Sequence, residues 1–350
     1  MTLPEAPKGT GEWLRGEGPD VDIVISSRVR LARNLSGHRF RNSCGREESR
    51  RINDTIHSVI LDANLGDDLI YYELEQMSAI ERDYLVERHL ISKEHAEAEG
   101  PRGVAICNGE ALSIMINEED HLRIQCLQSG LKLNETWDAI NRVDDLLSER
   151  LDYAFSPTLG YLTACPTNVG TAMRLSVMMH LPALEWTKQL RKVFKAVSKM
   201  NLAVRGLYGE GTRASGDFYQ ISNQVTLGKS EDEIIAIVDS VVRQIIRYER
   251  KVRQALFTQN RPNIEDRIWR AHSMLKGARI ISSEETMSLL SSLRMGVNMG
   301  IVKDINTKTI NELFLETQPA HLQKSQGREI PIQERDIVRA SLVRQRLAGN

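Results

Sequence analysis

The sequence predicts an α+β protein with antiparallel strand pairs, interleaved helices and an all-helical C-terminal part. Three observations lead there. Short runs alternating with period two recur between Val21 and Arg205, several joined by turns too short for a parallel crossover. Helical three-to-four spacing is interleaved with them. After the QNRPN break around Pro262 only helical patterns remain.

In chain order, VDIVISSRVRLAR at 21–33 reads as a strand that turns basic after Ser27 and sets Arg28 and Arg30 on one face. Helices are expected at 46–64 and 76–91. The stretch 111–127 reads as a hairpin with the acidic turn Asn117-Glu118-Glu119-Asp120 at its tip. Trp137, Ile140, Leu147 and Leu151 mark an amphipathic helix over 134–151. A strand over 172–181, a helix over 184–200 and a strand over 201–205 follow. Ser230 with Glu233, and later Ser282 with Glu285, form capping-box patterns, and the last helix is expected from Ile332 to Leu347. This divides the chain into an extension over 1–20, an α+β domain over 21–255 and a helical domain over 260–350.

Lys and Arg total 46 against 47 for Asp and Glu, so the net charge of -1 gives no general attraction to nucleic acid or anionic membrane. The start has no apolar signal-like run and no stretch approaches a membrane span, which reads as cytoplasmic. Cys44, Cys107, Cys126 and Cys165 lack the close spacing of a zinc site and make a poor disulfide framework.

Arg28, Arg30, Arg123, Arg174 and Arg205 sit on or at the ends of strands. Planar guanidinium forks suit phosphate oxygens, so the set fits either a triphosphate cradle or ordinary surface arginines. Neither a GxxxxGK[ST] loop nor the HRD and DFG elements of protein kinases occur, so any nucleotide must be held by arginine. Glu119 and Glu210 could orient and deprotonate a guanidinium, whose high pKa otherwise makes it a poor nucleophile. The acidic turn and RGLYGEG can equally be plain turns. Cys165 is either a packed thiol or one activated by nearby guanidinium groups, and His121 and His180 read as strand-face residues.

Taken in order, SSRVRLARN at 26–34, NEEDHLR at 117–123, CPTNVGTAMR at 165–174, RGLYGEG at 205–211 and YQISNQVTLGKSE at 219–231 resemble the phosphagen (guanidino) kinase family. The resemblance implies an antiparallel sheet flanked by helices, of the glutamine-synthetase-like kind, and in-line transfer from ATP with Mg²⁺. It implies an ATP site at Ser26, Ser27, Arg28, Val29, Arg30, Arg123, Arg174, Leu175, Ser176, Val177, Met178, Arg205, Gly206, Leu207, Tyr208 and Gly209, with the arginines on the phosphates. Glu119 then matches the catalytic carboxylate, Glu210 the second guanidinium-binding carboxylate and Cys165 the substrate-side cysteine. Where small-substrate members carry a histidine near the adenine, RGVAICN here has Cys107, which leaves His89 as the candidate adenine contact.

Small-substrate members also carry an N-terminal helical domain, whereas here the first motif begins at residue 26. With the helical C-terminus, this resembles the bacterial protein-arginine kinase (McsB) branch. That branch implies an allosteric phosphoarginine pocket at Arg335, Asp336, Arg339 and Ala340, in RDIVRA. It also implies a homodimer, protein substrates with exposed arginine, an McsA-like activator, a CtsR-like repressor under its control and a ClpC-type unfoldase acting on marked proteins. A kinase of free arginine is the alternative within the family, discriminated by the closure domain. A non-catalytic phosphoarginine reader is the alternative outside it, opposed by Glu119, Glu210 and the arginine set.

Overall fold

A computed structural model describes residues 11–206 and 215–348. Its strands are β1 (Val24–Arg33), β2 (Ile70–Glu73), β3 (Gly103–Cys107), β4 (Leu112–Ile116), β5 (Leu122–Ser129), β6 (Phe155–Ser156), β7 (Gly160–Tyr161), β8 (Met173–His180), β9 (Leu202–Gly206) and β10 (Phe218–Asn223). Eight form one sheet in the order β2-β3-β4-β5-β1-β8-β10-β9, and β6 and β7 form a separate ribbon. Each pairing in the sheet is antiparallel, as the short connections require.

Alternation assigns the two faces. Val29, Leu31, Ile124, Leu175, Val177 and Ile221 point to one side and are fully buried. Helix α1 (Arg46–Asp62) supplies Ile52, Ile56 and Ile60 to the same core. The other face carries the arginines, with an apolar block beside them. At the β2–β4 end, Tyr72, Val104 and Met115 pack with residues of α2 (Ala79–Glu87) and α3 (Lys93–Glu97). Helix α4 (Leu133–Ser148) lies against β1 and β5.

The helix expected over 76–91 is therefore shorter, with Ser78 capping it and His89, at φ 59°, ending it. The helix expected over 184–200 is two, α5 (Pro182–Trp186) and α6 (Leu190–Ser198). Lys188 turns left-handed between them at φ 58°, and the carboxylate of Glu249 accepts from the backbone N–H groups of Ala183 and Leu184 to cap the first.

The break expected at QNRPN is a kink within α7 (Glu231–Gly277): two helical segments meet at the non-helical Asn260 (φ −147°, ψ 45°), which puts Pro262 in the first turn of the second, where its missing N–H costs nothing. Ser230 and Glu233 form the complete capping box expected there, whereas Ser282 caps α8 (Ser283–Asn298) without a reciprocal bond from Glu285. Helices α9 (Thr307–Glu316), α10 (Pro319–Gln326) and α11 (Ile332–Ala348) follow.

These last helices share the sheet's core. Phe218 and Phe314 meet edge to face at 4.6 Å. The fully buried Arg294 of α8 donates to the carbonyls of Val21 (2.7 Å) and Asp22 (3.1 Å) and to Asn311 Oδ1 (3.1 Å). A guanidinium has five N–H donors, and here they replace water for carbonyls that precede the central strand.

Buried histidines make the fold acid-sensitive. Burial lowers the pKa of His95 to about 4, and burial with the nearby Arg28 lowers that of His89 to about 3. Both are neutral in the folded protein, so their stability contribution is whole above the unfolded value of 6.5 and is lost as pH falls through 6.5. Glu118, lowered to about 2, acts only below 4.5. Stability to urea should therefore carry a histidine contribution that falls between pH 6.5 and 5, on the order of 2 kcal/mol for His95 by pH 5. His95→Gln should flatten that slope.

Candidate active site

The cross-strand register brings the sequence's scattered arginines together. Arg30 stands opposite Arg174, Arg28 opposite Ser176 and Ala32 opposite Arg123. On the far side, Gln220 stands opposite both Met178 and Arg205. Directly opposed residues share a face, so Arg28, Arg30, Arg123, Arg174 and Arg205 all project from one face across four strands.

Their charges are poorly compensated. Arg28 donates from Nη2 to Gln220 Oε1 (2.6 Å) and from Nε to Ser176 Oγ (3.3 Å), while burial and repulsion from Arg123 and Arg174 lower its pKa to about 9. Burial, then Arg28, Arg123 and Arg174, push Arg30 well below the usual arginine range against the pull of Glu118. Arg30 Nε is buried without a hydrogen-bond partner. Arg174 is lowered by burial and by Arg205 and Arg123. Such a surface gains free energy when a polyanion enters. Beside it lies a cavity lined by Ser26, Arg28, His89, Ser176, Met178 and Gln220.

The acidic turn stands at one end of this face. Asn117, at φ 61°, closes it, and its amide donates to the carbonyls of Ser49 (2.8 Å) and Pro101 (2.9 Å). Burial disfavours the Glu118 carboxylate, but pairing with Arg123 and hydrogen bonds from Ser92 Oγ (2.6 Å) and the Glu119 N–H (3.0 Å) outweigh it, lowering its pKa to about 2. Glu119 is exposed and hydrogen-bonded to Cys165. Burial and the neighbouring Asp120 and Glu118 raise its pKa. It is the carboxylate free to take a proton.

Cys165 reaches Glu119 because Asp120 holds both segments. Its Oδ1 accepts from the backbone N–H of Ala164 (2.7 Å) and from Asn34 Nδ2 (2.6 Å), and Asn34 also donates to the Leu162 carbonyl (3.0 Å). The thiol lies 3.0 Å from Thr167 Oγ1. Asp120→Ala removes the acceptor shared by both donors, so a fall in kcat of about 10–100-fold is expected from misplacing the cysteine. Steady-state kinetics on a folded variant would measure it.

Other positions fall differently. Ser27, Val29, Leu175 and Val177 direct their side chains to the opposite, apolar face. Ser27 Oγ there donates to the Gly130 carbonyl (2.9 Å) and accepts from the Lys132 N–H (3.0 Å). Any contact of these four positions with a nucleotide on the arginine face is through their backbone. Leu207, Tyr208, Gly209 and Glu210 lie outside the described residues, while Gly206 ends β9.

The four residues that the resemblance implies for a phosphoarginine pocket lie on α11. Arg339 is 2% exposed and committed to the carbonyls of Thr317 (2.9 Å) and Ile281 (3.0 Å) and to Asp336; Ala340 is buried and Arg335 partly exposed. His121 braces the Leu35 N–H (3.0 Å) and the Arg39 carbonyl (2.9 Å), and His180 packs against Ser291 (2.9 Å), both structural contacts.

Sequence reasoning missed Gln220, Glu118 and Asp120. The alternation of YQISN would have put Gln220 on the arginine face. Nothing local separates the three acidic residues, because their roles depend on Ser92, Asn34 and Ala164.

Among known proteins, residues 51–252 match the model of the ATP:guanido phosphotransferase C-terminal catalytic domain and residues 261–350 that of the protein-arginine kinase McsB C-terminal domain. The protein-arginine kinase of Desulforamulus reducens is 48% identical over 96% of this chain and 95% of its own. That of Pelotomaculum thermopropionicum is 48% identical over 100% and 99%. Among solved structures, a lombricine kinase superposes with a TM-score of 0.60 at 28% identity, over 72% of this chain and 74% of its own. A duplicated taurocyamine kinase from Schistosoma mansoni gives 0.59 at 27% identity, over 71% and 35%.

Fold and catalytic-domain match together define the class, an ATP-using phosphotransferase for guanidino groups. The chain belongs to the ATP:guanido phosphotransferase family, in its protein-arginine kinase branch.

Proposed function

We propose that the enzyme transfers the γ-phosphoryl group of ATP to arginine side chains of proteins at the arginine-lined face. The observation that carries the site is the convergence of Arg28, Arg30, Arg123, Arg174 and Arg205 on one face, with Glu119 and Cys165 in contact at its edge. ATP lies along the arginines with its base toward His89. Glu119 takes a proton from the acceptor guanidinium as its nitrogen bonds to phosphorus and the bond to ADP breaks. Cys165 and Glu210 hold the guanidinium, and the arginines neutralise charge on the transferred group.

No group of three His, Cys, Asp or Glu side chains is placed to hold a metal ion among the described residues. Mg²⁺ brought with the nucleotide would supply charge neutralisation beside Arg28, Arg30, Arg123, Arg174 and Arg205.

The proposal extends to a catalytic domain over 21–255 and a helical domain over 260–350 that binds phosphoarginine near Arg335 and Asp336 and forms a homodimer. It places the enzyme in the cytoplasm, with an McsA-like activator, a CtsR-like repressor among its substrates and a ClpC-type unfoldase downstream. No helix among the described residues is long and apolar enough to cross a membrane.

The test is incubation with labelled MgATP and an equimolar mixture of free arginine and an arginine-rich unfolded protein. Acid-labile phosphate on the protein's arginines is the expected product. Label on free arginine alone would overturn the choice of substrate.

A further inference from the structure

The carboxylate of Glu87 ends α2 and holds the start of α10. It accepts from the backbone N–H of Ala320 (2.7 Å) and of His321 (3.0 Å), and lies 2.7 Å from His321 Nδ1. Three hydrogen bonds thus span a separation of more than 230 residues. The next residue, Arg88, is buried with Glu110 (Nε to Oε1, 2.8 Å), reaches the Tyr84 hydroxyl (3.2 Å) and stands 3.5 Å from His321 Nε2. A hydrogen on His321 Nδ1 toward Glu87 leaves Nε2 to accept from Arg88, so one neutral tautomer satisfies both contacts.

The residue after that is His89, at φ 59°, which lines the cavity beside Arg28 and meets the Trp13 ring at 4.9 Å. Its carbonyl accepts from Gln125 Nε2 (2.7 Å), on the arginine-bearing strand β5. A left-handed histidine is costly unless its surroundings hold it. Here the residues immediately before it are pinned from the C-terminal helices. On the other side of the same joint, the carbonyl of Thr317 accepts from Arg339 Nε (2.9 Å).

We infer that Glu87 is a positioning residue for the nucleotide: by clamping the start of α10 to the end of α2, it fixes the turn that presents His89 beside Arg28. This rests on the reading of that cavity as part of the ATP site. Glu87 touches neither the phosphate face nor the acceptor end, so its loss should weaken nucleotide binding and spare the transfer step. A general loss of structure would instead lower the active fraction and leave the affinity of the surviving enzyme unchanged.

The experiment compares wild type, Glu87→Ala and Glu87→Gln for ADP affinity by calorimetry, and for KM of ATP and kcat on an arginine-rich unfolded protein. Glu87→Ala is expected to weaken ADP binding and raise the KM for ATP by roughly 5–20-fold, with kcat at saturating ATP within about 3-fold. Glu87→Gln keeps an oxygen acceptor for one amide and should recover part of the affinity. Equal ADP affinity in wild type and Glu87→Ala, or a fall confined to kcat, would overturn the proposal. Failure of wild type to bind ADP would instead overturn the reading of the cavity, and this inference with it.

Discussion

Glu119→Gln is expected to lower kcat by roughly 10²–10⁴-fold, the span typical of a lost general base. The amide keeps the size of the carboxylate and can still approach Cys165, but it has no basic oxygen for the guanidinium proton. Glu119 lies at the acceptor end, so ADP affinity should stay near wild type while phosphoarginine formation falls. The pH dependence gives a second readout. Burial, with Asp120 and Glu118 nearby, raises the Glu119 pKa above 4.5, so activity should climb with pH through an acid limb as the carboxylate ionises. That limb should vanish in the Gln variant. A Glu119→Gln enzyme active within about 3-fold of wild type would remove Glu119 from the mechanism.

The largest stability effect is expected at Arg33, which ends the central strand. Its guanidinium grips Asp144 of α4 from Nη2 (2.7 Å) and Nε (3.1 Å), donates to the Ala32 carbonyl (2.8 Å) and lies 3.5 Å over the Tyr161 ring. Both side chains are almost wholly buried. Arg33→Met would leave Asp144 charged without water or partner, at a cost of about 3–5 kcal/mol. Removing both charges, in Arg33→Met with Asp144→Leu, should recover much of this because the apolar pair needs no solvation. Urea unfolding of the two single variants and the double variant would measure it. A double variant no more stable than Arg33→Met would show that packing on Tyr161, rather than the ion pair, dominates.

How much of this was legible depends on the range of the interaction. The alternation in VDIVISSRVRLAR is local, and it correctly set Arg28 and Arg30 on one face. The hairpin with Glu118 and Glu119 at its tip was equally local. Strand β3 was missed because GVAIC is buried on both sides and shows no alternation. Lys188 was missed as a helix break because nothing but its surroundings demands a left-handed lysine there. The break in QNRPN was legible, because a proline fits only the first turn of the helical segment that starts after Asn260. The Asn34–Asp120–Ala164 clamp joins three segments far apart in the chain, and no spacing announces it. Arg339 was named through the resemblance, and no spacing announces that it donates to the carbonyls of Thr317 and Ile281.

The hold of Arg294 on the Val21 carbonyl, across 273 residues, bears on how the chain is made. A ribosome adding roughly 5–20 residues per second delivers Arg294 about 14–55 s after Val21. Throughout that interval the Val21 carbonyl lacks this donor, while Arg253 of α7 already reaches the Asp22 carbonyl. The antiparallel partners of β1 are complete much earlier, by residue 180, so a nascent sheet can assemble with its leading edge still unfastened. A chain truncated before α8 should accordingly keep the register of β1 and the hold of Arg253 on Asp22, but leave the Val21 carbonyl open to water.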